Sequence, residues 1–147
     1  MERLQKLTDL TNYLSALRAP GIDVTPIHVV DQYHATNRLS RRSGVQILVA
    51  RPEIQQEGNS DSYTITYNTC VFVLEKNLGS ANTEEKEDKQ FLRLAEIASN
   101  ILTQIERDTD DWSVVELRGI PLVSVGLIPE SSIFGGWNGC SIELSFR

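Results

Sequence analysis

The sequence contains few of the residues that metal sites and disulfide frameworks need. Among its 147 residues are two cysteines, Cys70 and Cys140, and two histidines, His28 and His34. No pair of them has a spacing typical of zinc ligands, such as C-x-x-C. Each cysteine lies in a strand pattern, which favours a buried thiol over a disulfide. We therefore expect no metal site, no cofactor and no disulfide.

Long apolar runs are also missing. The uncharged stretches are too short to cross a bilayer, which takes about 20 apolar residues. Segment 1–14 carries charges among its apolar residues, unlike the continuous apolar region of a signal peptide. With 40% hydrophobic and 23% charged residues, the composition is typical of a soluble globular protein. We expect a single domain over residues 1–147 that is made in the cytoplasm, is not secreted and does not contact membranes.

No catalytic constellation is recognisable. Asp31 lies close enough in sequence to orient the imidazole of His34, but no nucleophile accompanies them. The segment DTDDW begins at Asp108 like a calcium loop. Its sixth and twelfth positions hold Ser113 and Gly119 instead of the required glycine and acid. The sequence therefore predicts a protein that is not an enzyme.

Charge is unevenly distributed along the chain. The net charge of −6 argues against a surface that binds nucleic acid throughout. Segment 83–88, TEEKED, holds four acids and one lysine, whereas 37–43, NRLSRRS, holds three arginines and no acid. The arginine segment is either a solvated loop or a contact to phosphate or to an acidic partner. Its candidate interface residues are Arg38, Arg41 and Arg42.

Two segments have the apolar spacing of amphipathic helices. In 2–17, leucines recur three or four residues apart, and Pro20 ends the pattern. A second, longer helix is predicted to start at Asn82 or Thr83, either of which can cap it, and to end near residue 107. The acids in its first turn suit the positive end of the helix dipole.

Six segments have strand patterns. The strongest is 63–76, where β-branched and aromatic residues dominate, and it is long enough to project beyond the sheet at its tyrosine end. Pro26 restricts the first strand to an edge or a bulge. Strict alternation in 139–146 predicts a paired strand with one buried face. The predicted strands are 22–30, 44–50, 63–76, 112–117, 121–128 and 139–146, with polar loops at 31–43 and 51–62.

The predicted element order is therefore α-β-β-β-α-β-β-β. Because both helices are amphipathic, the simplest packing is a mainly antiparallel sheet with the two helices on one face. The fold class predicted is α+β, in two layers.

Aromatic residues provide further candidate interface positions. Tyr63 and Tyr67 lie at the projecting end of the longest strand. In the glycine-rich segment 135–139, GGWNG, Trp137 either closes a hairpin against the core or joins Phe134 as an exposed anchor for a partner. This segment precedes a strand rather than a helix, so it lacks the arrangement of a phosphate loop.

The order of these elements resembles that of a known family. An amphipathic helix, the projecting strand SYTITYNTCVFVLEK and the long helix EEKEDKQFLRLAEIASNILTQIE are followed by WSVVELRGIPLVSVGLIPE and the strand in GWNGCSIELSF. In this order the chain is similar to the small tail-completion proteins of long-tailed bacteriophages, the tail-terminator and neck class. The likeness covers nearly the whole chain and lies in element order and pattern, not in a signature motif.

The resemblance implies a non-enzymatic subunit of a ring at the head–tail joint of a virion. It implies a hexamer that contacts tail tube and connector proteins. The net acidity would suit a lumen through which DNA slides without binding. Subunits of such a ring meet head to tail, so two different surfaces must match. The arginine segment and the acidic start of the long helix are candidates for that pair.

A stand-alone α+β domain that binds a small ligand or a protein is the alternative. A polar, uncovered sheet face would argue against a ligand cleft. A closed apolar cavity around Tyr63 and Tyr67 would favour one.

Overall fold

The computed structural model describes residues 2–79 and 83–147, which form three α-helices and a six-stranded sheet. Asn82, one of the two predicted helix caps, lies outside these residues. The fold is of the α+β class. Its elements are α1 (Glu2–Ser15), β1 (Ile27–Val29), α2 (Gln32–Leu39), β2 (Gln46–Ala50), β3 (Glu53–Asn59), β4 (Ser62–Lys76), α3 (Glu84–Asp110), a 3-10 turn (Val115–Leu117), β5 (Leu122–Ile133) and β6 (Trp137–Phe146).

The sheet is mainly antiparallel, as predicted. Its strand order is β1-β2-β4-β6-β5, and β3 pairs with the first half of β4. Among the strand pairs of residues 2–79 and 83–147, β1 and β2 alone run parallel. The first predicted strand is reduced to three residues at the edge of the sheet, just after Pro26, because proline cannot donate to a ladder. The chain-terminal strand β6 lies between β4 and β5, which confirms that its residues are paired and needed by the core.

Helices α1 and α3 cover one face of this sheet, as predicted, but a third helix, α2, packs on the opposite face and adds a layer that was not predicted. Alternate residues of β2, β4 and β6 point toward α1 and α3 and form the larger apolar core. Burying each such side chain stabilises the fold by about 1.5–3 kcal/mol. The central members are Leu10 and Leu14 of α1, Leu94, Ala98, Ile101 and Ile105 of α3, and Val71, Val73, Ile142, Leu144 and Phe146 of the sheet.

A buried hydrogen-bond network fixes α3 against the sheet. The Gln90 amide donates to Glu75 Oε1 and to the carbonyl of Lys76, each at 3.0 Å. Its own carbonyl accepts from Asn138 Nδ2 at 3.1 Å. Asn138 Oδ1 in turn accepts from the backbone N–H of Ser132 at 2.7 Å. Because every amide of the network has a partner, burying these polar groups costs little.

Residues 31–43, predicted as a polar loop, contain helix α2 instead. The carboxylate of Asp31 accepts a hydrogen bond from the His34 N–H at 2.8 Å and so caps the helix. Ala35 and Leu39, one turn apart, are its buried residues. They contact Leu48 and Trp137 in a smaller core on the face opposite α1 and α3. The helix has only eight residues, so its apolar repeat is too short to stand out.

Two other predicted boundaries are wrong. Segment 112–117 forms a turn and a short 3-10 helix, whose Leu117 is buried, rather than a strand. Strand β5 continues past Pro129 to Ile133, five residues beyond its predicted end.

The long helix begins after Thr83, whose hydroxyl accepts from the Lys86 N–H at 3.2 Å, so that cap is confirmed.

Candidate interaction surfaces

The predicted loop 51–62 is instead the outer strand of a projecting hairpin, which we call the arm (residues 53–66). β3 pairs with β4 from Glu53 opposite Asn68 to Asn59 opposite Ser62. The opposite edge of β4 pairs with β6 only from Tyr67 onward. All seven residues of β3 are exposed, as are the first three of β4. The arm therefore extends beyond the rest of the sheet. Ile65 packs against the larger core and Arg3 Nη1 donates to Gln56 Oε1 at 3.2 Å, whereas the outer strand β3 stays exposed.

The two candidate tyrosines lie in different environments. Tyr63, near the tip of the arm, is 48% exposed. Tyr67, at the base of the arm, is buried in the larger core. It lies where β4 begins to pair with β6, so its ring fills space under α1 and is not part of the exposed surface. Together the two rings do not enclose a cavity, and the shallow hollow beside them is lined largely by polar residues such as Glu2, Arg3 and Lys6.

The three candidate arginines are all exposed at the end of α2 and in the turn that follows it. Arg38 Nε lies 3.0 Å from His34 Nε2, so this guanidinium is close to the helix. Within residues 2–79 and 83–147, none of the three forms an ion pair with a carboxylate. Their charge is therefore available to a partner.

The acids at the start of α3 are also at the surface. Glu84 and Asp88 are exposed, one helical turn apart, and neither is in an ion pair within the described residues. Glu85 is paired with Lys89 at 3.1 Å. The first turn thus presents carboxylates where the helix dipole stabilises negative charge.

The hairpin between β5 and β6 resolves the two interpretations of GGWNG. Trp137 is 2% exposed and packs in the smaller core against α2, so it closes the hairpin rather than anchoring a partner. Phe134 is half-buried, and its ring meets Phe72 edge to face with centroids 5.1 Å apart. Trp137 is therefore not a surface residue, and Phe134 is only partly one.

The sheet face that α2 leaves uncovered carries polar side chains among apolar ones. Ser145 Oγ donates to Asn68 Oδ1 at 2.7 Å, and Ser141 Oγ donates to Glu130 Oε1 at 2.9 Å. Glu143, on the central strand β6, is exposed on this face. An open groove of about 620 Å³ crosses it, lined among others by Arg51, Glu53, Cys70 and Glu143.

The two thiols are unbonded and lie on opposite faces of the sheet. Cys140 points into the larger core, and burial raises its pKa. Cys70 pairs with Glu143 across the strands and lies on the polar face. Burial, together with the nearby Glu143 and Glu130 carboxylates, raises the pKa of Cys70 to about 12. Neither sulfur has the low pKa of a reactive thiolate.

The two histidines also lie apart from each other. His28 Nε2 is 2.6 Å from Ser15 Oγ, and its Nδ1 is buried with no hydrogen-bond partner. Burial is the main cause of its lowered pKa, and Arg51 adds to it. His34 Nδ1 accepts from the Val30 N–H at 3.1 Å. Within the described part of the chain, no three histidine, cysteine or carboxylate side chains are grouped closely enough to bind a metal ion.

Two surfaces were not predicted from the sequence: the outer strand of the arm and the outer edge of β5. The outer strand of the arm, β3, lacks apolar alternation because neither of its faces is buried, although the turn residues Asn59 and Asp61 mark the tip of the arm. The sequence does not predict that β5 is an edge strand, because the order of strands in a sheet depends on how the whole chain folds. Of the elements described, no helix is both long and apolar enough to cross a membrane.

Comparison of the chain with protein-family models, with curated proteins and with solved structures gave no match.

Proposed function

We propose that this protein is a non-enzymatic subunit of a ring at the head–tail joint or tail terminus of a long-tailed bacteriophage. Support comes from the order of its elements and from surfaces that its own chain leaves unpartnered. In the virion such a ring, a hexamer, contacts tail tube and connector proteins and surrounds a lumen for DNA.

The arm is the observation that carries this proposal. Folding a residue costs about 1–2 kcal/mol of backbone entropy, which buried contacts must offset. Residues of β3 bury almost nothing in their own chain, and an isolated two-stranded hairpin is marginally stable in water. Packing of the arm against a neighbouring subunit supplies the missing contacts.

Charges without an ion pair among the described residues suit a head-to-tail arrangement. Arg38, Arg41 and Arg42 are positive, whereas Glu84 and Asp88 at the start of α3 are negative. When each copy presents one surface to the other surface of the next copy, repetition gives a ring if the rotation between copies closes. A two-fold dimer built on either surface alone would instead place like charges together.

The uncovered sheet face disfavours the stand-alone ligand-binding domain. Small-ligand sites are concave and mostly apolar, with a few polar groups that orient the ligand. The groove on this face is open and has the polar side chains Glu143, Asn68 and Ser145 among its apolar residues, and Tyr63 and Tyr67 enclose no cavity. The ring remains the better supported function.

Shortening the arm tests its role. Gln55 and Thr66 are opposite each other in the hairpin, so residues 56–65 can be replaced by Asn-Gly, which forms a two-residue turn. We expect the shortened protein to keep its circular dichroism spectrum and to lose particles of ring mass in light scattering. If it assembles like the intact protein, the arm is not part of the contact.

A charge exchange tests the second pair of surfaces. Reversing Arg38, Arg41 and Arg42 to glutamate should weaken assembly, and adding Glu84→Lys and Asp88→Lys should restore it. Exposed ion pairs contribute only about 0–1 kcal/mol each, so the triple change is needed. The matched control changes the same arginines to glutamine, which removes attraction without adding repulsion. If exchange does not restore assembly, these surfaces do not meet.

A further inference from the structure

Strand β5 has an open outer edge along its full length. It is the last strand in the sheet order, paired on one side with β6. Within residues 2–79 and 83–147, no other strand pairs with its outer side. Apolar side chains remain exposed along it, with Val123 at 47%, Val125 at 44% and Leu127 at 42%.

The middle of this edge, residues 124–128, lacks the features that protect edge strands from pairing. Proteins usually place charges, prolines or bulges where an exposed edge would otherwise bind another strand. Residues 122–128, LVSVGLI, contain no charge and no proline. The register shift between Leu122 and Ser124 is the one irregularity within them. An uncharged strand edge of this length is suited to pairing with another chain.

The segment is also nearly symmetrical about Val125. Pro121 and Pro129, which have no backbone donor, bracket it at equal distances. In an antiparallel pair of two such strands centred on Val125, Pro121 lies opposite Pro129 of the other copy. Val123 then lies opposite Leu127, so apolar residues meet apolar residues.

The free edge of the arm is a poorer partner for β5. Strand β3 presents Glu53 and Glu57 along its length. Pairing with β5 would place these carboxylates beside valine and leucine side chains, and no positive charge in 122–128 compensates them.

We propose that β5 pairs with β5 of a second copy about a two-fold axis at Val125, joining two sheets into one. This contact differs from the head-to-tail ring contact and does not depend on it. In a ring it joins two rings; without a ring it forms a dimer.

Cysteine cross-linking tests the symmetry of this contact. Residues directly opposite in an antiparallel pair have Cβ atoms about 4.5–5.5 Å apart. A Val125→Cys variant should therefore form a covalent dimer with a mild oxidant or a short bis-maleimide. The wild-type protein should not, because Cys140 is buried and Cys70 is half-buried with a raised pKa. Cross-linking that occurs only when Gln56→Cys is added would overturn the proposal in favour of arm pairing, and no cross-linking of either variant would also overturn it.

Mass measurement gives an independent test. The double variant Val125→Lys, Leu127→Lys should halve the particle mass found for the wild type, whether that is dimer to monomer or double ring to single ring. The control Val30→Lys, Val115→Lys adds the same charge at exposed apolar sites and should leave the mass unchanged. An unchanged mass in the β5 variant, with an unchanged circular dichroism spectrum, contradicts the β5 contact without affecting the ring. A wild-type dimer that the β5 variant converts to monomer supports the β5 contact and contradicts the ring.

Discussion

The hydroxyl of Tyr13 donates a hydrogen bond to Asp108 Oδ2 at 2.5 Å, joining residues 95 positions apart in the chain. This contact connects the end of α1 to the end of α3 above the core. Gln104 Nε2 donates to the other carboxylate oxygen of Asp108 at 2.8 Å, which holds the acceptor in place. Because the acceptor is charged, the bond is stronger than one between neutral groups.

Replacing Tyr13 with phenylalanine should destabilise the protein by about 1–2 kcal/mol, the range for a hydrogen bond to a partly exposed charged group. Burial and the Asp108 carboxylate both raise the pKa of Tyr13. Its stabilisation is therefore complete below the usual tyrosine pKa of about 10 and decreases as pH rises above that value. The free energy of unfolding, measured with urea, should fall more between pH 8 and pH 11 for the wild type than for Tyr13→Phe. Tyr33→Phe, at an exposed position, is the control. An equal fall of the unfolding free energy in the wild type and in Tyr13→Phe would contradict the role given to the Tyr13 hydroxyl.

Gly139 should not tolerate a side chain. A Cβ at this position would lie 1.9 Å from the carbonyl oxygen of Val73 on the neighbouring strand. Gly139→Ala should therefore cost about 1–3 kcal/mol or prevent folding. Gly126→Ala on β5 is the matched control, since its Cβ would make only an ordinary contact of 3.7 Å with Glu143. Equal melting temperatures for the two variants would be inconsistent with this backbone packing.

His28 should make the protein less stable in acid. Its pKa is lowered in the folded state because the imidazole is buried and lies near Arg51. The unfolded chain therefore binds the proton more tightly, and stability decreases as pH falls below the usual histidine pKa of about 6.5. His28→Gln should reduce the slope of unfolding free energy between pH 7 and pH 5. His34→Gln retains His28 and should keep the wild-type slope. If His34→Gln reduces the slope and His28→Gln does not, His28 is not the cause of the acid sensitivity.

The thiols should be slow to react in the folded state. Burial raises the pKa of both, that of Cys70 to about 12, so little thiolate is present at pH 8. Labelling with a thiol reagent should be slow for both and become fast in denaturant. Single Cys70→Ser and Cys140→Ser variants identify which thiol reacts. Rapid labelling of native Cys140→Ser would mean that the polar face exposes Cys70 more than its environment indicates.

Long periodic elements were the predictable part of the fold. The run of β-branched and aromatic residues predicts β4 to within one residue, and the apolar face of the second helix, with Thr83 as cap, predicts α3. The alternating residues of 139–146 predict β6. In each case one or both faces are buried, so the pattern in the sequence reflects the core.

The missed elements bury little or are very short. α2 places only Ala35 and Leu39 in a core, and β3 buries nothing, so neither leaves a periodic pattern. WSVVEL alternates like a strand, but only Leu117 of the 3-10 turn is buried. Of the candidate interface residues, Tyr67 and Trp137 are in cores because aromatic residues serve cores and contacts equally well. Sequence composition does not separate these two uses.

Light scattering of the intact protein over a wide concentration range tests the proposed ring most directly. The proposal predicts a discrete particle of at least hexamer mass, where one chain is 16.5 kDa. It also predicts that replacing residues 56–65 with Asn-Gly abolishes that particle while the fold remains. A mass of one chain at every concentration, for the intact protein and the shortened variant alike, would contradict the ring.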